Sequence, residues 1–126
     1  MPVIALPTNG EGGLNDSISI RFGKCNSITI ITVEEKSIIA VKVIPVSRNK
    51  TFGNLGIYIA KLIKENNVSE VMVKFIGSKA YHALSSENIR IFKVFNKDVD
   101  IKECIDMFNN GEIPLLENPN SHLIKE

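Results

Sequence analysis

Basic side chains and glycines recur together at three places where the chain turns between apolar runs. Arg21 and Lys24 flank Phe22-Gly23 and lead into Cys25; Arg48 and Lys50 precede Gly53; Lys79 follows Gly77-Ser78. Arginine is a permanent cation with five N–H donors, and lysine is a compact one with three. Glycines at helix entrances leave backbone N–H groups and the positive end of the helix dipole open to a ligand. This set of residues suits capture of a small anion. Cys25 adds a group able to coordinate a soft metal, and its thiolate is favoured beside Arg21 and Lys24.

Each of these residues also has a purely structural reading. Loop lysines and arginines commonly serve solvation, Gly53 and Gly77 serve turn geometry, and a cysteine next to a strand packs as a small hydrophobe. Cys104, beside Ile105, reads as core. His82 reads as a structural histidine within a helix, and His122 as an incidental one near the C-terminus.

The elements that position these residues follow from the apolar periodicity. Val3–Leu6 is a short buried run ended by Pro7, Asn9 and Gly10, and residues 8–26 form a long polar loop, a kind that is often functional. Ile28–Val33 and Ile38–Ile44 are β-branched runs joined by the polar turn at 34–37, which makes a hairpin. Leu55, Ile59, Leu62 and Ile63 then repeat at helical spacing, so a helix is expected over 54–66. A strand follows at 71–75, a second helix opens at Gly77-Ser78 with Ser78 as its expected N-cap, and a fifth strand covers 89–95. Asp100 and Glu103 have capping spacing before a third helix that carries Ile101, Ile105 and Phe108. Residues 1–112 thus read as one α/β domain and 113–126 as a C-terminal tail.

The order β-β-β-α-β-α-β-α implies a mixed five-stranded sheet with helices on its faces. A hairpin followed by right-handed crossovers makes strands one, three, four and five run the same way. The loops after those strands then share one edge, the carboxyl edge where ligands of open α/β sheets bind. All the cationic loops lie there.

The composition narrows the classes. A chain of 126 residues carries 15 basic and 14 acidic side chains for a net charge of +1, which argues against a nucleic-acid protein with a dominant basic face. Two cysteines far apart, with no CxxC pair, give no self-contained structural metal site and suit a reducing compartment. No signal peptide and no apolar run of membrane-spanning length is read, so a cytoplasmic protein without a membrane partner is expected. The first strand, Val3-Ile4-Ala5-Leu6, carries no carboxylate of the kind that two-metal nuclease chemistry needs. No nucleophile elbow surrounds Cys25, so hydrolase chemistry is equally unsupported.

The opening IALPTNG, the segment SISIRFGKCNSITIITVE and the stretch GNLGIYIAKLIKENNVSEVMVKFIGSKAYHALSSENIRIFKV together resemble the dinitrogenase iron–molybdenum cofactor biosynthesis family, over roughly residues 3–112. The resemblance implies a ribonuclease-H-like three-layer fold. It also implies a non-catalytic role in binding or carrying an anionic iron–molybdenum cofactor, its precursor or another iron–sulfur cluster, with donor and acceptor proteins as partners. On this reading Phe22-Gly23 and its neighbours form part of the site. The family commonly has a histidine before Phe-Gly, whereas this chain has Arg21, which cannot offer a lone pair to a metal but strengthens electrostatic capture. Cys25 becomes the nearest group able to ligate iron, and exposure at the carboxyl edge is expected of it. A module that binds a small anion, or regulates another protein, without any metal is the competing reading.

Overall fold

The computed structural model describes residues 1–47, 54–96 and 98–124, and in these the expected order of elements appears. Strands β1 (Val3–Thr8), β2 (Ser27–Glu34), β3 (Ser37–Pro45), β4 (Glu70–Val73) and β5 (Arg90–Lys93) form one sheet in the order β3-β2-β1-β4-β5. β1 pairs antiparallel with β2, and β2 with β3, whereas β1–β4 and β4–β5 are parallel. Helices α1 (Leu55–Glu65), α2 (Ser78–Ser85) and α3 (Ile101–Asn109) connect or follow the parallel strands.

Side-chain alternation along the strands divides the core in two. Ala5, Ile28 and Ile30 face α1 and α2, packing with Ile59, Ile63, Ala80 and Leu84. Ile4, Leu6 and Ile31 face the other way and pack with Ile101, Cys104 and Ile105 of α3. The result is the three-layer mixed α/β architecture implied by the strand order.

Several local outcomes refine the sequence reading. β1 does not stop before Pro7 but continues to Thr8. Pro7 has no N–H to give, yet its carbonyl accepts the Ser19 N–H at 2.8 Å, so the following loop folds back along the strand. Glu35 and Lys36 both have positive φ (49° and 67°), the tight two-residue turn that a twisted β2–β3 hairpin favours. Ser78 is the first helical residue of α2 and not its cap; Gly77 stands at the N-cap, where no side chain caps the helix. Asp100 does cap α3, its carboxylate accepting the Glu103 N–H at 2.8 Å.

The long first loop is held by its own polar groups. The Asp16 carboxylate accepts N–H bonds from Gly10, Gly12 and Ser17 at 2.7–2.8 Å. Buried Thr8 hydrogen-bonds the Ser27 and Thr29 hydroxyls, and Thr29 in turn accepts the Gly13 N–H. These bonds, within the loop and to the strands beside it, satisfy backbone donors that no regular ladder reaches.

Residues 112–124 have little regular structure but pack closely on the domain. The Lys93 N–H donates to the Pro114 carbonyl and the Leu116 N–H to the Ile91 carbonyl, each at 2.8 Å, so this segment covers the outer edge of β5. Asn120, 5% exposed, accepts the Ile76 N–H at 2.9 Å and donates to the Lys74 carbonyl at 3.0 Å. One amide side chain therefore replaces a strand partner for residues 74–76. We expect Asn120→Ala to cost about 1–3 kcal/mol in urea unfolding, because it strands the buried Ile76 N–H and leaves the Lys74 carbonyl with Lys93 Nζ alone. A loss below about 0.5 kcal/mol would mean that the segment is not anchored there.

Candidate functional site

Two backbone pairings carry the first loop to the end of β4. The Phe75 N–H donates to the Ile20 carbonyl at 3.1 Å, and the Phe22 N–H to the Phe75 carbonyl at 3.0 Å. These bonds form a parallel bridge between Arg21 and Phe75. Strand β4 was expected to run to Phe75; it ends at Val73 because the neighbour at Phe75 is the loop and not another long strand. Just beyond the bridge, Phe22–Lys24 forms a single 3-10 turn, with Phe22 1% exposed in the α1/α2 core. The buried ring fixes the turn, while Arg21 and Lys24 stay at the surface on either side of it.

This turn lies against the start of α1. A Cβ built on Gly23 would stand 3.6 Å from the Gly56 nitrogen, and one built on Gly56 would stand 3.0 Å from Asn54 Oδ1 and 3.3 Å from the Ala80 Cβ. The loop, α1 and α2 thus meet where side chains are small. Asn54 caps α1, its side-chain oxygen accepting the Ile57 N–H at 3.1 Å. Both helix N-termini open into the same cleft.

The cleft has a volume of about 500 Å³ and is lined by Arg21, Phe22, Gly23 and Lys24 from the first loop and Asn54, Leu55 and Gly56 from the entrance of α1. Phe75, Gly77, Ser78, Lys79 and Ala80 from the β4–α2 connection, with Ser121 and Ile124, complete it. Of the residues singled out from the sequence, Arg21, Phe22, Gly23, Lys24, Gly77, Ser78 and Lys79 come together here. Arg48, Lys50 and Gly53 lie outside the described residues. Sequence reasoning missed Gly56, Phe75, Ser121 and Ile124. Gly56 sits one turn beyond Gly53 in GNLG, a spacing that marks a close approach only once the partner surface is known.

The lining is cationic and hydroxylic. Three cationic side chains, two hydroxyls and two helix N-termini converge, and no Asp, Glu, His or Cys is among the described residues that line it. The α2 end is the more open of the two, since no side chain caps it. Backbone N–H groups there, reinforced by the dipole, favour negative charge.

The expectation that Cys25 is exposed is corrected. Cys25 is 0% exposed, packed with Phe22, Ile28 and Ile59, and does not line the cleft. The turn that directs Arg21 and Lys24 outward directs Cys25 into the core. Cys104 is likewise buried, and burial pushes its thiol pKa up to about 12, with Asp100 and Glu103 adding to the rise and Lys74 opposing it. No cluster of three or more His, Cys, Asp or Glu suited to a metal ion occurs among the described residues. We expect neither thiol to react with a maleimide at pH 8 in the native state, and both to react after unfolding in urea. Rapid native labelling of Cys25 would contradict the packing. Because the folded Cys104 ionises near 12 and the unfolded one near 9.0, its contribution to stability is intact below about pH 9 and declines as pH rises between those values.

No helix among the described residues is long and apolar enough to cross a membrane. Residues 1–111 match the family described as dinitrogenase iron-molybdenum cofactor. An uncharacterized protein of Methanocaldococcus jannaschii is 29% identical over 114 residues, which cover 90% of this chain and 91% of that protein. Among solved structures, the apo form of the orange protein from Desulfovibrio gigas superposes with a TM-score of 0.83 at 21% identity, covering 95% of this chain and 97% of that one. A Methanocaldococcus jannaschii protein provisionally described as a dinitrogenase gives a TM-score of 0.72 at 22% identity, covering 93% of this chain and 96% of the other. At these identities the two structures establish the shared fold.

Proposed function

We propose that this chain, which belongs to the dinitrogenase iron-molybdenum cofactor family, is a non-catalytic carrier that holds an anionic iron–molybdenum or iron–sulfur cofactor as its cargo in the cleft at the carboxyl edge. The observation that carries this reading is the meeting of Arg21, Lys24 and Lys79 with the N-termini of α1 and α2 in one cleft. Charge and backbone donors attract the cargo. The Ser78 and Ser121 hydroxyls add weak, exchangeable hydrogen bonds to it.

The donor set also suits release. A protein thiolate forms a strong bond to iron, whereas hydrogen bonds and charge are broken and remade within a transfer step. The cluster's own coordination sites then remain available to a donor or an acceptor protein. The family together with this cation-rich cleft supports a carrier.

Cys25→Ala separates this reading from thiolate ligation. Isolated iron–molybdenum cofactor, mixed anaerobically with wild type and variant and passed through a desalting column, is expected to stay with both proteins to the same extent. Loss of molybdenum and iron from the variant alone would show that Cys25 ligates the cluster. Cofactor retained by neither protein would remove the carrier reading and leave a small-anion module.

A further inference from the structure

A second, larger depression adjoins the cleft and has the opposite character. It measures about 1020 Å³ and is lined mostly by apolar side chains, Ile20, Phe95, Leu116, Leu123 and Ile124 among them, together with Lys74, Lys93 and Asn120. Phe75 and Ile124 belong to both depressions and separate them. Leaving such a surface in water is costly: Phe95 is 71%, Leu123 61% and Ile20 55% exposed. Contiguous apolar surface of this kind marks a binding site more often than chance exposure.

Lys93, Lys74 and Asn120 are the polar side chains among the described residues of the groove, and Lys93 is the more buried of the two cations. The residue is only 8% exposed, and its Nζ lies 3.7 Å from the centre of the Phe75 ring and 5.3 Å from that of Phe95. One of its three N–H groups is taken by the Lys74 carbonyl. Burial, and then the neighbouring Lys74 charge, lower the Lys93 pKa, and the partners of this cation among the described residues are a carbonyl and two aromatic rings. No Asp or Glu is among the described residues lining the groove. An incoming anion would supply what the protein does not.

We propose that this groove binds a small amphipathic monocarboxylate, its aliphatic or aryl body against Ile20, Leu116, Leu123 and Phe95 and its carboxylate on Lys93 Nζ. Pockets that take small organic ligands have this composition, mostly apolar with a few polar groups that fix orientation. The apolar walls distinguish the ligand from the cargo of the neighbouring cleft, whose lining is cationic and hydroxylic. A charge-assisted bond in a partly desolvated site is strong enough to select an anion over a cation of equal chain length. The inference is independent of what the cleft holds.

Methyl NMR of the full chain tests it, with octanoate, octylammonium and acetate as probes. Octanoate is expected to shift the Ile20, Leu116 and Leu123 methyl signals saturably, with octylammonium and acetate at least about tenfold weaker. Lys93→Met keeps most of the apolar stem, and Leu123→Asp changes an exposed wall residue without touching the core. Both are expected to weaken octanoate by about tenfold or more, whereas reversing Lys24 and Lys79 in the cleft leaves it unchanged. Equal binding of octanoate and octylammonium, undiminished octanoate binding by Lys93→Met, or no saturable shift with any probe would overturn the proposal.

Discussion

Replacing Lys24 and Lys79 together by glutamate is expected to weaken binding of an isolated iron–molybdenum cofactor by on the order of 100-fold while leaving the fold intact. Both residues are exposed and line the same cleft from two different elements, the 3-10 turn and the first turn of α2. Each reversal turns an attraction for an anionic cargo into a repulsion, and a charge-assisted contact typically accounts for about a tenfold change in affinity or more. Stability should move by no more than about 0.5 kcal/mol, as is usual for exposed positions. Lys79→Glu even places an acidic group in the first turn of a helix, where the dipole favours it. Competition titrations at low ionic strength read the affinity, and urea unfolding reads the stability. Unchanged affinity in a folded double variant would mean that the cleft is not where the cargo sits.

The second large effect is on folding. Phe22→Ala is expected to destabilise the protein by about 3–5 kcal/mol, the usual cost of emptying a fully buried aromatic position. Against a total stability of about 5–15 kcal/mol for a domain of this kind, that loss is severe. Phe22 is 1% exposed and packs with Cys25, Ile59, Ile76 and Ala80, so the cavity would open between the first loop and both site helices. The same ring anchors the turn that presents Arg21 and Lys24, so cargo binding should fall with stability. Phe22→Leu, which keeps much of the volume, should lose roughly 1–2 kcal/mol and retain binding. If Phe22→Ala lost less than about 1 kcal/mol, the turn would be held by its two backbone bonds to Phe75 and not by the ring.

Much of the architecture was legible because the residues that build it repeat. β-Branched runs on either side of the Glu34–Ser37 turn make a hairpin in almost any context, and Leu55, Ile59, Leu62 and Ile63 announce a helix by spacing alone. The side of the sheet that carries the cations followed from strand direction, which the hairpin and the crossovers determine. Asp100 as a cap followed from its distance to Glu103.

What was not legible depends on contacts between distant segments. Cys25 lies between Lys24 and Asn26, and its neighbours suggest exposure; only the 3-10 turn before it shows that the thiol points inward. The pairing of Ile20 and Phe22 with Phe75 joins residues more than fifty positions apart and leaves no periodic trace. The C-terminal segment reads as a tail because its attachment is a few backbone bonds and the amide of Asn120, an ordinary polar residue until Ile76 and Lys74 are beside it. Ser121 and Ile124 reach the cleft through that attachment. Part of the reason for a glycine at 56 is the approach of Ala80 from another part of the chain, beside the Asn54 side chain of its own segment.

The most direct measurement is anaerobic gel filtration of the wild-type protein with isolated iron–molybdenum cofactor, with molybdenum and iron determined in the protein peak at low and at high salt. Capture by charge in the cleft requires stoichiometric metal on the protein at low salt and its progressive loss as ionic strength shortens the range of the attraction. A protein peak free of metal at low salt would contradict the carrier reading, and metal that stays bound without change at high salt would contradict capture by charge.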